Sequence, residues 1–319
     1  MSVSAPVRHL LIPFAGRHTP GCRAALAGLK LPHLERLLTR LQPVHEDAQD
    51  DSTFSPPHER ALAAAMGLSA ADGMLAWAAW QARRQGLPAL APGQGWALLT
   101  LCHWHVGIDD VALGDPTALV IDAQESQALL DVLQPFFADD GIALHPGARP
   151  GQWLASGALF DGLATASIDR AVGQPISEWS PLTDAARPLR RLQNETQMLL
   201  YTHPINEARA QRGLPPINSF WASGTGALAA DAGASAPTVD ERLRAPALLD
   251  DAPGWSMAWQ ALDAEVIAPL AEAGSADLRL TLCGDRAART YAPRPGGLGA
   301  LARRLFERAP MLPDVLGTL

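Results

Sequence analysis

Two stretches of the chain collect side chains able to do chemistry. The first is Cys102-His103-Trp104-His105, followed by Asp109 and Asp110. Side chains alternate along a strand, so His103 and His105 share one face while Cys102 and Trp104 share the other. Two imidazoles with a carboxylate beyond the next turn have the composition of a metal site. The same pattern suits a strand whose polar face meets a cleft or water. The second stretch runs from Leu192 to Gly226. His203, Asn206 and Arg209 follow at i+3 spacing, which on a helix keeps them within one third of the circumference. Pro204 suits a first helical turn and Gly213 the position after the helix end. The Arg209 guanidinium has the fork that grips phosphate or carboxylate. A ligand-binding helix and a capped structural helix leading to a strand and a glycine turn both account for this pattern.

These residues need a scaffold, and the rest of the chain supplies one. It has 319 residues, 48% hydrophobic and 18% charged, with 27 Gly and 27 Pro. That is globular composition, neither disordered nor fibrous. The net charge of −8 with no basic stripe argues against nucleic acid. No apolar run approaches the roughly 18 residues of a membrane span, and Leu10 to Ile12 is too short for a signal-peptide core. Three dispersed cysteines imply no disulfide framework. A soluble cytoplasmic protein without nucleic-acid or membrane partners is the expectation.

Apolar periodicity places strands over 7–14, 96–105, 118–121 and 278–283. It places helices over 59–67, 70–86, 185–201, 206–212, 255–270 and 298–308, with Leu26, Leu34, Leu37, Leu38 and Leu41 on helical spacing around a break at Pro32. Asp122 to Glu125 reads as a capping box opening a helix through Phe137. Residues 227–247, rich in Ala, Gly, Ser and Pro, read as a linker. There is no internal repeat. Alternating strands and helices predict an α/β fold on a mainly parallel sheet.

The series His203-Pro204-Ile205-Asn206-x-x-Arg209, then Gly213, then Pro216-x-Asn218-x-x-Trp221-x-x-Gly224-x-Gly226 resembles a stretch of the archaeal-type cofactor-independent phosphoglycerate mutases, of the alkaline phosphatase superfamily. Thinner, collinear similarities run from Leu31 to the Trp259–Ile267 segment. The chain also resembles a bacterial group of largely unknown function, some of it regulatory. The resemblance implies an alkaline-phosphatase-like α/β core over 1–95 and 220–319, with a smaller α/β cap inserted over 96–219. It implies ligand-binding roles for His203, Asn206, Arg209, Asn218 and Trp221.

Other positions depart from that family. Its phosphoryl transfer uses two divalent metals that activate a serine. Here Ala15-Gly16 stand where the family has an Asp-Gly metal ligand. His58 falls at the nucleophile position, with Ser55 three residues out of register. The family's late Asp-His pair becomes Asp285-Arg286, where either the guanidinium stands in for a cation or both residues are simply solvated. No histidine follows His203, and the chain is shortened between 227 and 254. The resemblance with these departures implies a degenerate centre and a non-catalytic binding or regulatory protein. Its expected partner is a phosphorylated small metabolite or a protein, and no cofactor is expected. The alternative is an active phosphomutase with a rearranged site using Mn2+ or Zn2+. A separate metal site at His103, His105, Asp109 and Asp110 is a third reading.

Overall fold

The structure, a computed structural model, describes residues 8–228, 236–273, 277–294 and 311–319. In chain order its elements are β1 (Arg8–Ile12), α1 (Pro20–Ala25), α2 (Pro32–Leu38), β2 (Leu41–Ala48), α3 (Pro57–Ala65), α4 (Trp77–Arg84), β3 (Gly95–Cys102), β4 (Trp104–Val106) and β5 (Val111–Leu113). There follow α5 (Ala123–Asp139), β6 (Ala143–Pro146), β7 (Gln152–Gly157), α6 (Ile168–Ala171), α7 (Ile176–Trp179), α8 (Arg187–Tyr201), α9 (Pro204–Gln211) and β8 (Ser219–Gly226). The last are β9 (Thr238–Val239), α10 (Arg244–Leu248), α11 (Ala252–Leu262), α12 (Ala268–Glu272), β10 (Leu278–Cys283), β11 (Ala287–Pro293) and α13 (Leu312–Leu316). They form two compact units, one of Met1–Ser52, Pro56–Leu68 and Gly233–Leu319, the other of Thr53–Ser55 and Ser69–Ala232. Residues 69–95 and 220–228 cluster with the second unit.

The sheet of the first unit runs β2-β11-β10-β1-β9. It is mixed rather than mainly parallel. β1 pairs in parallel with β10 and β9, while β10–β11 and β11–β2 are antiparallel. The reason is local: only Gly284, Asp285 and Arg286 separate β10 from β11, and so short a connection permits only a hairpin. One face carries Leu10, Ile12, Leu280 and Leu282 into a core with α1, α2 and α11, where Trp255 and Trp259 are fully buried. On the other face Leu11, Cys283 and Ala288 meet Ala61 and Leu62 of α3. The second unit carries an antiparallel sheet, β6-β7-β3-β8. Its core joins Phe137 of α5, Leu189 and Leu192 of α8, and Phe220 of β8.

The capping box at Asp122 and Glu125 forms as expected. Pro32 opens α2 rather than breaking a helix, because proline at a first helical position has no N–H to leave unpaired. The helix expected over 70–86 shortens to α4, and the strand expected over 118–121 is a 3-10 turn at Pro116–Leu119, opened by Asp115 accepting from the Thr117 N–H at 3.0 Å. Of the expected linker over 227–247, residues 229–235 lie outside the described residues, and the later part carries β9 and the start of α10. The helix expected over 298–308 lies outside the described residues. No helix among the described residues is long and apolar enough to cross a membrane.

Candidate functional site

In the second unit the motif from His203 to Trp221 is assembled as the sequence arranges it, and its polar groups turn inward. His203 caps α9, its Nδ1 accepting from the Ile205 N–H at 3.3 Å. Asn206 donates to the carbonyls of Leu200 and Ile217 at 2.9 and 2.8 Å and accepts from the Ile217 N–H at 2.8 Å. Asn218 accepts from the Trp104 N–H at 2.7 Å and donates to the Trp104 carbonyl at 2.9 Å. Trp221 Nε1 donates to the Ala166 carbonyl at 2.9 Å. Arg209 is fully buried: Nε donates to the Pro215 carbonyl and Nη1 to Glu125 Oε2, both at 2.8 Å, and Nη2 to the Leu119 carbonyl. Arg212 takes the other Glu125 oxygen. A buried guanidinium survives only when paired and hydrogen-bonded, and these partners meet that condition. The motif is thereby accounted for as the clamp joining α9, β8 and the start of α5.

His103 and His105 do meet, edge to face, with ring centroids 4.3 Å apart. His103 Nδ1 donates to the Pro216 carbonyl at 2.9 Å, and burial, with the His105 charge, pulls its pKa below the ordinary histidine value. Asp109 and Asp110 belong to the tip of the β4–β5 hairpin, closed by the Gly107 N–H donating to the Asp110 carbonyl at 2.8 Å. These four side chains do not assemble. Among the described residues no group of three or more His, Cys, Asp or Glu is placed to hold a metal ion.

The first unit places the remaining candidates at the carboxyl ends of β1 and β10, where open α/β sheets bind ligands. Here the chain leaves β1 through Phe14, in the left-handed region at φ 57°. That conformation is costly for a bulky side chain and is held from outside. Trp255 Nε1 donates to the Phe14 carbonyl at 3.0 Å and Trp259 Nε1 to the Ala15 carbonyl at 3.2 Å, while the Ala15 N–H donates to the Cys283 carbonyl at 2.6 Å. The Phe14 ring lies 5.0 Å from the His58 ring and 5.7 Å from the Arg17 guanidinium carbon. His58 therefore sits beside this turn at the start of α3, against an aromatic ring. Ser55 is in the other unit, where it is buried and its Oγ accepts from the Gly73 N–H at 2.9 Å.

At this crest Asp285 accepts from Arg17 Nη1 and, at 2.7 Å, from the His18 N–H. Arg286 does not accompany it. It is exposed and grips Asp51 through Nε at 2.9 Å and Nη2 at 2.6 Å. Of the two readings of Arg286, the exposed position agrees with solvation, and the cation beside Asp285 is Arg17. Sequence adjacency places successive residues on opposite sides of a turn, and only folding brings residue 17 to residue 285.

Sequence reasoning also missed the closing segment. The Leu319 carbonyl accepts from the N–H groups of Arg286 and Ala287 at 2.9 and 2.7 Å, and His18 Nε2 donates to the Gly317 carbonyl at 3.2 Å. A Cβ at Gly16 would stand 2.0 Å from the Leu316 carbonyl oxygen, and one at Gly284 2.5 Å from the Leu319 carbonyl carbon. The two glycines were the available signal, since each permits a close backbone approach. Ala15 and Gly16 carry no side-chain donor for a metal ion, and Asp285 is held by the Arg17 guanidinium.

No family model matches the chain. A probable 2,3-bisphosphoglycerate-independent phosphoglycerate mutase of Geobacter sulfurreducens is 27% identical over 116 residues, 36% of this chain and 29% of that protein. A 2,3-bisphosphoglycerate-independent phosphoglycerate mutase of Methanothrix thermoacetophila is 28% identical over 125 residues, 39% of this chain and 31% of that protein. The matched stretch thus spans under a third of either relative's length. Among solved structures, the cofactor-independent phosphoglycerate mutase of Thermoplasma acidophilum aligns over 98% of this chain and 99% of its own, at 13% identity and a TM-score of 0.38. A Pyrococcus horikoshii protein aligns over 92% and 88%, at 14% identity and a TM-score of 0.47. Over these stretches the chain is similar to phosphoglycerate mutases.

Proposed function

We propose that this is a phosphoglycerate mutase-like protein with a degenerate metal and nucleophile centre, acting as a binding or regulatory protein rather than a phosphomutase. The observation that carries the reading is the state of the β1–β10 crest. Its carboxylate, Asp285, is neutralised by Arg17, and residues 316–319 lie against Gly16 and Gly284. Activating a hydroxyl and screening a transferring phosphate take cations held by several anionic or imidazole donors. A guanidinium screens charge but is no Lewis acid and gives up no proton near neutral pH.

A coupled assay for 2- and 3-phosphoglycerate interconversion with added manganese tests the reading, run beside metal content by mass spectrometry. The expected result is no manganese-dependent turnover. Interconversion that disappears in His58→Ala or Asp285→Ala would overturn the proposal and restore the phosphomutase alternative. The first ligand class to test is a phosphorylated small metabolite. Thermal stabilisation by millimolar 3-phosphoglycerate supports that version, and its absence directs the search to a protein partner.

A further inference from the structure

The opposite half of the first unit's sheet carries a cleft that none of these roles uses. Its volume is about 660 Å3. The apolar contact of α3 with the sheet lies beside Leu11, Cys283 and Ala288, and the walls around the cleft are small: Ala61, Ala64 and Ala65 from the helix, Ala288 and Ala292 from β11. A β-bulge adds to it. Thr290 pairs with His45 and Tyr291 with Pro43, which leaves Val44 as the extra residue of β2, so Val44 and His45 both reach the cleft.

The groups facing this space have a defined electrostatic balance. The two acids at its rim are already matched, Glu46 by Arg289 through two hydrogen bonds of 3.1 Å and Asp47 by Arg60 at 2.6 Å. The Arg279 side chain is exposed and, like that of His45, makes no hydrogen bond or ion pair among the described residues. Arg279 pairs in register with His9 on β1. His9 Nε2 lies 2.8 Å from Thr281 Oγ1, which lies 2.8 Å from Thr290 Oγ1, and Thr290 lines the cleft. A hydroxyl donates once, so this relay runs in one of two directions. When His9 donates to Thr281 and Thr281 to Thr290, the last hydroxyl proton points onward for a ligand. The cleft thus offers one uncompensated guanidinium, an imidazole and a directed hydroxyl, which are donors matched to a compact oxyanion.

We propose that this cleft is a binding site for phosphate or a phosphomonoester, held by Arg279, His45 and Thr290, with His9 and Thr281 fixing the Thr290 hydroxyl. The proposal does not depend on whether the β1–β10 crest is catalytic. The probes are inorganic phosphate and 3-phosphoglycerate, titrated calorimetrically and by histidine ring NMR, with chloride at equal ionic strength as the control. The expected result is saturable binding with shifts of the His9 and His45 ring signals. Arg279→Gln should weaken it by about tenfold, the scale of a lost charged hydrogen bond, and Thr290→Val should weaken it and remove the His9 shift. Arg187→Gln, at an exposed residue of the second unit, should bind as wild type. Equal shifts with chloride, or unchanged binding in an Arg279→Gln protein of wild-type melting temperature, would overturn the proposal. Binding of phosphate alone identifies a free-anion site, and preference for the phosphomonoester identifies a metabolite site.

Discussion

Asp285 is neutralised by Arg17, 268 residues earlier in the chain, while its neighbour Arg286 turns away to Asp51. Both members of the first pair are mostly buried, with 15% of each side chain exposed, whereas Arg286 is 57% exposed. Replacing Arg17 by Ala leaves a partly desolvated carboxylate short of its partner and should cost about 2 kcal/mol. Arg286→Ala should stay within about 0.5 kcal/mol, as exposed pairs do. Urea unfolding of the two variants measures the contrast directly. Equal losses would mean that Asp285 draws on both cations.

Arg209 and Glu125 should behave as a buried structural pair. Arg209→Met strands the Glu125 carboxylate beside Arg212 alone and should cost about 3–5 kcal/mol. The double variant Arg209→Met/Glu125→Gln should recover part of that, because no buried charge then lacks its partner. A ligand-contacting Arg209 would instead give a folded variant with lost affinity, so denaturation and phosphoglycerate binding should be measured on the same preparations.

The Asp250 carboxylate collects the Thr19 hydroxyl at 2.6 Å and the N–H groups of Cys22 and Gly21 at 2.9 and 3.0 Å, at the amino end of α1. These hydrogen bonds hold its pKa down from 3.8 to about 2. A depressed folded-state pKa contributes stability above the unfolded value and loses it as pH falls through the folded one. Asp250→Asn should therefore cost about 1 kcal/mol near pH 7, as lost caps do, and the gap should close between about pH 4 and pH 2. Thermal melts of both proteins across that range check the sign. A gap that widens in acid would contradict it.

Gly16 is the lever on the closing segment. Gly16→Ala puts a methyl where the Leu316 carbonyl oxygen now lies, so the short α13 should be displaced rather than the sheet. Hydrogen exchange at the amides of Arg286 and Ala287 reports this, since both now donate to Leu319. Faster exchange is expected there, with β1 and β10 still protected. Exchange unchanged from wild type would show that the segment yields without leaving.

What the sequence made legible was local. The capping box at Asp122, the proline opening of α9 and the strand at Leu278 follow from short-range chemistry, and all are present. β2 escaped because a bulge, Pro43 and its charged residues erase the alternation that marks a strand. The carboxylates Asp250 and Asp263 cap α1 and α2 from about 230 residues away, so neither helix start shows its own cap. The candidate site divides the same way. The His203–Trp221 spacing was read correctly as a helix and strand, but its inward direction depends on Glu125, Trp104 and Ala166, none adjacent in sequence.

The register that joins Arg8 to Leu278 also orders events during synthesis. β1 leaves the ribosome long before its partner, and at roughly 5–20 residues per second it waits some tens of seconds. Ser69–Ala232, by contrast, holds its strands and helices within one continuous stretch of the second unit. That unit can fold while β1 is still waiting, and β1, with its apolar Leu10-Leu11-Ile12 run, is the segment that nascent-chain chaperones would have to shield.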